Sequence, residues 1–152
     1  MMGPATDELY RRGITFRLFQ HNGEIVSLEQ AAQERGQTPE QVVRSILFRL
    51  SAGEYLLALM PGPRQILWKA LRLLLKQNRL TMASDEELLD VTGYRPGTVS
   101  PFGLPRPLRV IADRSLFDLP EISLGSGVRE TAIIITPTEL ARAIPDLEIA
   151  NL

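Results

Sequence analysis

Thr92-Gly93-Tyr94-Arg95-Pro96-Gly97-Thr98-Val99-Ser100-Pro101-Phe102-Gly103 is the stretch on which the reading of this chain turns. Three glycines and two prolines fall within these twelve residues. Glycine opens positive φ and lets a neighbour approach the main chain. Proline presets φ and removes a donor. On composition alone the segment reads as a turn-rich link between a helix and a strand. A functional reading makes it a rigid loop whose bare backbone meets a ligand.

Working outward, the chain alternates short helical and strand signals. Thr6 to Arg12 reads as a helix capped by Thr6 and ended at Gly13. Thr15 to Gln20 suits a strand, and Ser27 with Gln30 opens a helix that Gly36 ends. Thr38-Pro39 begins a helical turn. Val42 to Leu50 and Tyr55 to Met60 read as a hairpin in the centre of a sheet. A helix is expected from about Arg64 to Asn78, its apolar side formed by Leu67, Ala70, Leu71 and Leu74. Ser84 with Glu87 caps a second helix to about Val91. Strands are expected at 108–112, 121–124 and 132–136, with a turn or short helix at 113–117. Thr136-Pro137-Thr138-Glu139 opens a last helix, ending near Ala143. This mixture without regular βαβ alternation predicts an α+β fold: one domain over residues 1–152, with a mixed, largely antiparallel central sheet surrounded by helices.

Bulk composition narrows the function classes. The chain has 152 residues, a formal net charge of −1 and 44% hydrophobic residues, an ordinary soluble profile. No apolar run is long enough for a membrane span. Met-Met-Gly-Pro-Ala-Thr-Asp-Glu lacks the layout of a signal peptide, so cytoplasmic residence is expected. Zero cysteines exclude disulfides, thiolate metal sites and a cysteine nucleophile. One histidine argues against a zinc site, so neither metal nor cofactor is expected. The near-neutral charge argues against strong nonspecific nucleic-acid binding, DNA included, while leaving room for a local basic patch.

Arg44, within Val-Val-Arg-Ser-Ile-Leu-Phe, would share a strand face with Val42, Ile46 and Phe48. It reads either as an edge cation reaching for water or as a cation aimed into a cleft. Gly125, Ser126 and Gly127 form a second small-residue cluster, which reads as a tight hairpin turn or as a backbone surface for substrate. Phe19 and His21 end the first strand beside the turn-forming Asn22-Gly23 pair. Lys69, Arg72, Lys76 and Arg79 recur at three- and four-residue steps. They read as a solvated helix face or as a phosphate-contacting stripe.

The run Thr-Gly-Tyr-x-x-Gly-x-x-Ser-Pro-x-Gly, with Gly97-Thr98-Val99-Ser100-Pro101 at its centre, resembles the Gly-x-x-x-Pro loop of the YbaK-type aminoacyl-tRNA editing deacylases. These are relatives of the editing domain inserted in bacterial prolyl-tRNA synthetase. The resemblance extends from about Ala5 to Leu140. It implies the fold of that domain and a trans-editing hydrolase acting on mischarged aminoacyl-tRNA, of the Cys- or Ala-tRNAPro type. It implies Arg44, Gly97, Ser100 and Pro101 as catalytic positions. It implies Phe19, His21, Thr98, Val99, Gly125, Ser126 and Gly127 as substrate-binding ones. Lys69, Arg72 and Lys76 would contact tRNA. The implied partners are the tRNA acceptor end and an aminoacyl-tRNA synthetase, with no membrane and no DNA. Two departures stand out. Arg44 occupies the place of the family's lysine, and arginine stays protonated and cannot serve as a general base. Glu130-Thr131-Ala132 replaces the Gly-x-Asp of some close relatives. A non-catalytic aminoacyl-tRNA- or synthetase-binding module is therefore the alternative.

Overall fold

The computed structural model describes residues 3–152; Met1 and Met2, which head the stretch read as lacking a signal-peptide layout, lie outside the described residues. Its centre is the expected hairpin, β2 (Val43–Leu50) and β3 (Tyr55–Pro61), paired antiparallel with Leu47 opposite Leu57 and Arg44 opposite Met60. Strand β3 is apolar at every residue because both of its faces are covered, while β2 carries Arg44, Ser45 and Arg49 among its apolar residues. Val43, Leu47, Leu57 and Leu59 join the larger core, and Phe48, Leu50, Leu56, Ala58 and Met60 join a second cluster on the opposite face.

Five strands make this sheet, in the order β4 (Leu80–Met82), β2, β3, β5 (Arg109–Asp113) and β8 (Glu148–Ala150). A three-stranded sheet completes the larger core, in the order β1 (Arg17–Gln20), β7 (Thr131–Ile135) and β6 (Ile122–Gly125). Four strand pairings are antiparallel and two are parallel, those of β5 with β3 and with β8. The mixed, largely antiparallel α+β expectation is therefore met, but in two sheets rather than one. A parallel bridge between Val42 and Ser123 is the stitch between them.

Helices α1 (Pro4–Arg11), α2 (Leu28–Arg35), α3 (Trp68–Leu75), α4 (Asp85–Thr92) and α5 (Pro137–Ala143) cover the sheets. Helix α1 begins earlier than its expected cap. Pro4 takes the first helical position, and Thr6 Oγ1 sits inside the first turn, accepting from Gly3 N–H at 2.9 Å. Ser27 caps α2 by accepting from Gln30 N–H, and Gly36 ends it at φ 69°.

Helix α3 departs furthest from expectation, with eight residues where fifteen were expected. Its start is delayed because Leu67 remains extended, with its N–H donated to Leu152 O at 3.1 Å. Its end is set by Lys76, which adopts a left-handed φ of 55°. The buried stripe is consequently Leu71 and Leu75, with Trp68 packed edge-on against Phe48 at 5.2 Å. Leu67 and Leu74, expected inside, are exposed. Strands β4 and β8 escaped the sequence reading because three residues carry too little alternation to register.

Helix α4 is fastened by its capping box. Glu87 Oε1 accepts from Ser84 N–H at 3.0 Å, while Oε2 accepts from Tyr55 OH at 2.7 Å and from Arg49 at 3.1 Å. The Ser84 N–H, then the Tyr55 hydroxyl, hold the Glu87 carboxyl down from 4.5 to about 2. A folded-state value below the unfolded one stabilises above the unfolded pKa and is lost as pH falls. The native protein should thus lose stability from Glu87 as pH drops from 4.5 toward 2. In Glu87→Gln, urea midpoints measured across that window are expected to fall less steeply than in wild type.

Candidate functional site

The loop that follows α4 is held from inside. Gly93 ends the helix at φ 76°, and Tyr94 turns into the core with its hydroxyl donating to Phe102 O. Burial pushes the Tyr94 phenol well above its ordinary value, so it stays a donor. Arg95-Pro96-Gly97-Thr98 closes a tight turn, with Thr98 N–H donating to Arg95 O at 3.1 Å and Gly97 at φ 84°. Proline followed by a positive-φ glycine is the type II arrangement.

This loop lies on the β6–β7 hairpin with no room for side chains between them. Thr98 O accepts from Gly127 N–H at 2.8 Å. A Cβ on Gly125 would stand 2.1 Å from Val99 O, and one on Gly127 would stand 2.4 Å from the Tyr94 ring. The two glycine-rich segments read separately from the sequence are the two halves of one contact.

Beside that contact the two sheets part. β2 and β6 touch at Val42 and Ser123, then splay, and a cavity of about 440 Å³ opens between them. Val42 to Ser45 form one wall, Leu124 and Gly125 the opposite wall, and Pro96 to Val99 the third. Leu47 O accepts from Ala83 N–H, so the main-chain groups of Leu47 face the β4 edge. Alternation places those of Ser45 on the same edge, where β4 has ended and the cavity begins. The Ser45 hydroxyl is buried without a partner among the described residues.

Arg44, Gly97, Thr98, Val99, Gly125 and His21 meet at this cavity. Arg44 points to the second-cluster face, donates from Nη2 to Arg64 O, and has a buried Nε without a partner. Burial pulls its guanidinium below its ordinary value. The other expected positions stand outside. Ser100 is fully buried beneath the loop and accepts from Phe102 N–H at 3.3 Å, while Pro101 belongs to the same buried turn. Ser126 Oγ donates to Thr131 O at 3.0 Å inside the hairpin turn. Gly127 faces Tyr94. Phe19 packs edge-on against His21, with ring centres 4.8 Å apart, and lines an adjoining hollow. Lys69, Arg72 and Lys76 sit on or just after α3, away from the cavity wall.

His21 is not the solvated strand end the neighbouring Asn-Gly pair suggested. It is 3% exposed, and both ring nitrogens are engaged. Nδ1 lies 2.7 Å from Glu34 Oε1, and Nε2 accepts from Arg35 Nε at 3.0 Å. Because Arg35 can only donate, the ring is the tautomer with its hydrogen on Nδ1. Hydrogen bonds from His21, then from Gln30, hold the Glu34 carboxyl below its ordinary value. Arg35 also donates from Nη1 to Ser123 Oγ at 2.8 Å, and Ser123 Oγ donates to Gln37 at 2.7 Å.

Sequence reasoning missed Arg35, Ser45 and Glu24 at this cavity. Arg35 precedes a C-terminal glycine, where a cation is ordinary helix chemistry. Glu130, noted in the sequence only as part of a departure from the family pattern, lines the cavity at a non-glycine φ of 61°. Among the described residues no group of three or more His, Cys, Asp or Glu could hold a metal ion. No helix among them is long and apolar enough to cross a membrane.

A sequence model of the aminoacyl-tRNA editing domain matches residues 22–143, which include the described cavity wall apart from His21. The chain belongs to the aminoacyl-tRNA editing domain family. A proline–tRNA ligase of Kosmotoga olearia is 32% identical over 106 residues, 70% of this chain and 18% of the ligase. A second, from Bacillus licheniformis, is 27% identical over 107 residues, again 18% of the ligase. The chain thus spans under a fifth of the ligases it matches. The uncharacterized protein YwhH of Bacillus subtilis is 32% identical over 115 residues, 76% of this chain and 73% of YwhH. A crystal structure assigned as a candidate trans-editing enzyme for prolyl tRNA synthetase superposes with a TM-score of 0.89 at 25% identity, covering 100% of this chain and 98% of that one. The fold is the editing-domain fold.

The loop-on-hairpin contact makes a direct prediction. Gly125→Ala places a methyl group against the Val99 and Thr98 carbonyls. It is expected to cost about 2–3 kcal/mol of stability, measured by urea unfolding.

Proposed function

We propose that this editing domain, acting as one unit over residues 1–152, hydrolyses the ester of mischarged aminoacyl-tRNA in trans. The observation that carries the reading is the shared cavity of the 96–99 loop, the Gly125 hairpin and Arg44, inside a chain of the editing family. The terminal adenosine and its ester would lie against the loop. Thr98 N–H is already held by Arg95 O, so Gly97 and Val99 supply the N–H groups toward a developing oxyanion. Ile25, Val42, Val43 and Leu124 give the amino-acid side an apolar lining. An apolar pocket separates side chains differing by one methylene only about 10- to 200-fold, the regime in which separate editing is useful.

Neither Arg44 nor His21 offers itself as a base, and Glu24 and Glu130 are the only carboxylates among the described lining residues. Arginine donates only, and both nitrogens of His21 are occupied. Water is the nucleophile in this reading, assisted by a ribose hydroxyl or by the substrate's own side chain. Cys- or Ala-charged tRNAPro is the substrate type, with the chain in the cytoplasm. The tRNA acceptor end is the partner, and a synthetase delivers it. Lys69, Arg72 and Lys76 meet its phosphates away from the ester.

A second reading rests on one observation. Arg44 Nη2 is held by a main-chain carbonyl, so the cavity suits a module that binds an aminoacyl-tRNA or a synthetase without hydrolysing the ester. The test is a deacylation panel of purified protein with Cys-, Ala- and Ser-charged tRNAs, including tRNAPro. Turnover above buffer is expected on one of them, and its absence on all rejects the enzyme. Gly97→Val forces a β-branched residue to φ 84° and is expected to lower the rate about 100-fold by displacing the loop. Arg44→Lys separates the readings. Lower hydrolysis marks an arginine-adapted enzyme, and hydrolysis gained only with lysine marks a binding module.

A further inference from the structure

Three arginines and two glutamates line the main cavity, and they are not equivalent. Arg44 has one terminal nitrogen on the Arg64 carbonyl and its Nε buried. Arg35 is held differently. Its Nε is fixed on His21 and its Nη1 on Ser123, from two separate elements. Its Nη2 makes no hydrogen bond among the described residues and is not buried. That nitrogen is left open on a residue that lines the cavity. The guanidinium is fixed through two of its three nitrogens and only Nη2 is left free, so ordering it for a ligand costs little rotamer freedom.

The support behind it is built for this purpose. His21 can accept from Arg35 only while its hydrogen is on Nδ1, and the Glu34 carboxylate keeps it there. Gln30 Nε2 donates to the other Glu34 oxygen at 2.8 Å. Burial lowers the Arg35 guanidinium from its ordinary value, with neighbouring Glu34 opposing the shift. A half-buried, pre-aimed cation with one free terminal nitrogen suits a single charge-assisted hydrogen bond to a phosphate oxygen. Glu24 and Glu130 line the same cavity, so a small bare anion is disfavoured there, while a larger ligand can keep its phosphate at Arg35.

We propose that Arg35 is the phosphate-binding residue of this cavity and holds the phosphodiester that precedes the terminal adenosine of tRNA. The proposal rests on the aminoacyl-tRNA reading for its ligand, but its test needs no ester hydrolysis. It divides the labour at the site. Arg35 fixes the nucleotide, and Arg44, held on the Arg64 carbonyl, is left out of phosphate binding.

Adenosine 5′-monophosphate carries that phosphate in its simplest form. Calorimetric titration of the purified chain is expected to show it binding about tenfold or more tightly than adenosine, because one charge-assisted hydrogen bond separates them. Inorganic phosphate is expected to bind more weakly than the nucleotide. Arg35→Leu should erase the preference for the nucleotide over adenosine, and Arg11→Leu, at an exposed arginine of α1 outside the cavity, should keep it. Arg35 also braces His21 and Ser123, so a second measurement uses wild-type protein alone. In ¹⁵N-arginine side-chain spectra the Arg35 Nε signal should move with the nucleotide and stay put with adenosine. Equal binding of the two by wild type, no binding of either, phosphate matching the nucleotide, or a preference that survives Arg35→Leu would each overturn it. A failed deacylation panel with an intact nucleotide preference would reject hydrolysis and leave this assignment standing.

Discussion

The contact between the Thr98 and Val99 carbonyls and the Gly125–Gly127 turn is the constraint on which the site depends. It is a main-chain to main-chain approach that tolerates no Cβ at either glycine. Buried main-chain groups must be paired, and here the pairing of Thr98 O with Gly127 N–H also fixes where the loop stands. Tyr94 and Phe102 hold the loop from below, so its upper surface is left bare for a ligand. Remove that approach and the third wall of the cavity has no fixed position.

The cavity itself is a consequence of sheet geometry. Two twisted sheets meet at a single bridge, Val42 to Ser123, and diverge from it. Strand β4 covers the free edge of β2 only from Phe48 to Leu50, so the edge at Val43 to Ser45 is left to face the gap. Such an edge offers unpaired main-chain groups, a hazard in most proteins and a ready binding surface where a concave wall shields it. The alternation of β2 turns the main-chain groups of Arg44 toward β3, opposite Met60, and its side chain to the second-cluster face.

Charge is distributed by the same logic. The basic stripe on α3 was conspicuous in the sequence, yet it lies on a helix whose outer face is also apolar and which makes no wall of the cavity. The cavity's own cations come from a strand, a helix end and a hairpin, and none of the three stands near another in sequence. His21, Glu34, Arg35 and Ser123 form one hydrogen-bonded relay from α2 to β6. Networks of this kind are rigid when every member is satisfied, and here each member is, up to the free Nη2 of Arg35.

Local chemistry was readable where it is self-contained. The caps at Ser27, Ser84 and Thr136, the left-handed stop at Gly36 and the apolar β2–β3 hairpin were fixed by residues within a few positions of one another. The Gly-rich loop announced its family through its spacing, and Arg44, Gly97, Thr98, Val99, Gly125 and His21 do meet at one cavity. Other features were not written locally. The length of α3 depends on Leu67 bonding to Leu152, some eighty-five residues away. Ser100 and Ser126 turned inward because buried turns needed their hydroxyls for backbone partners. Arg35 became a cavity residue only when α2 docked on β6, since a last-turn arginine looks the same in sequence whether it faces water or a ligand. Short-range hydrogen bonding and periodicity are properties of neighbouring residues, so the sequence by itself determines them. Which polar atom remains unpaired depends on everything packed around it, and only the tertiary structure decides that.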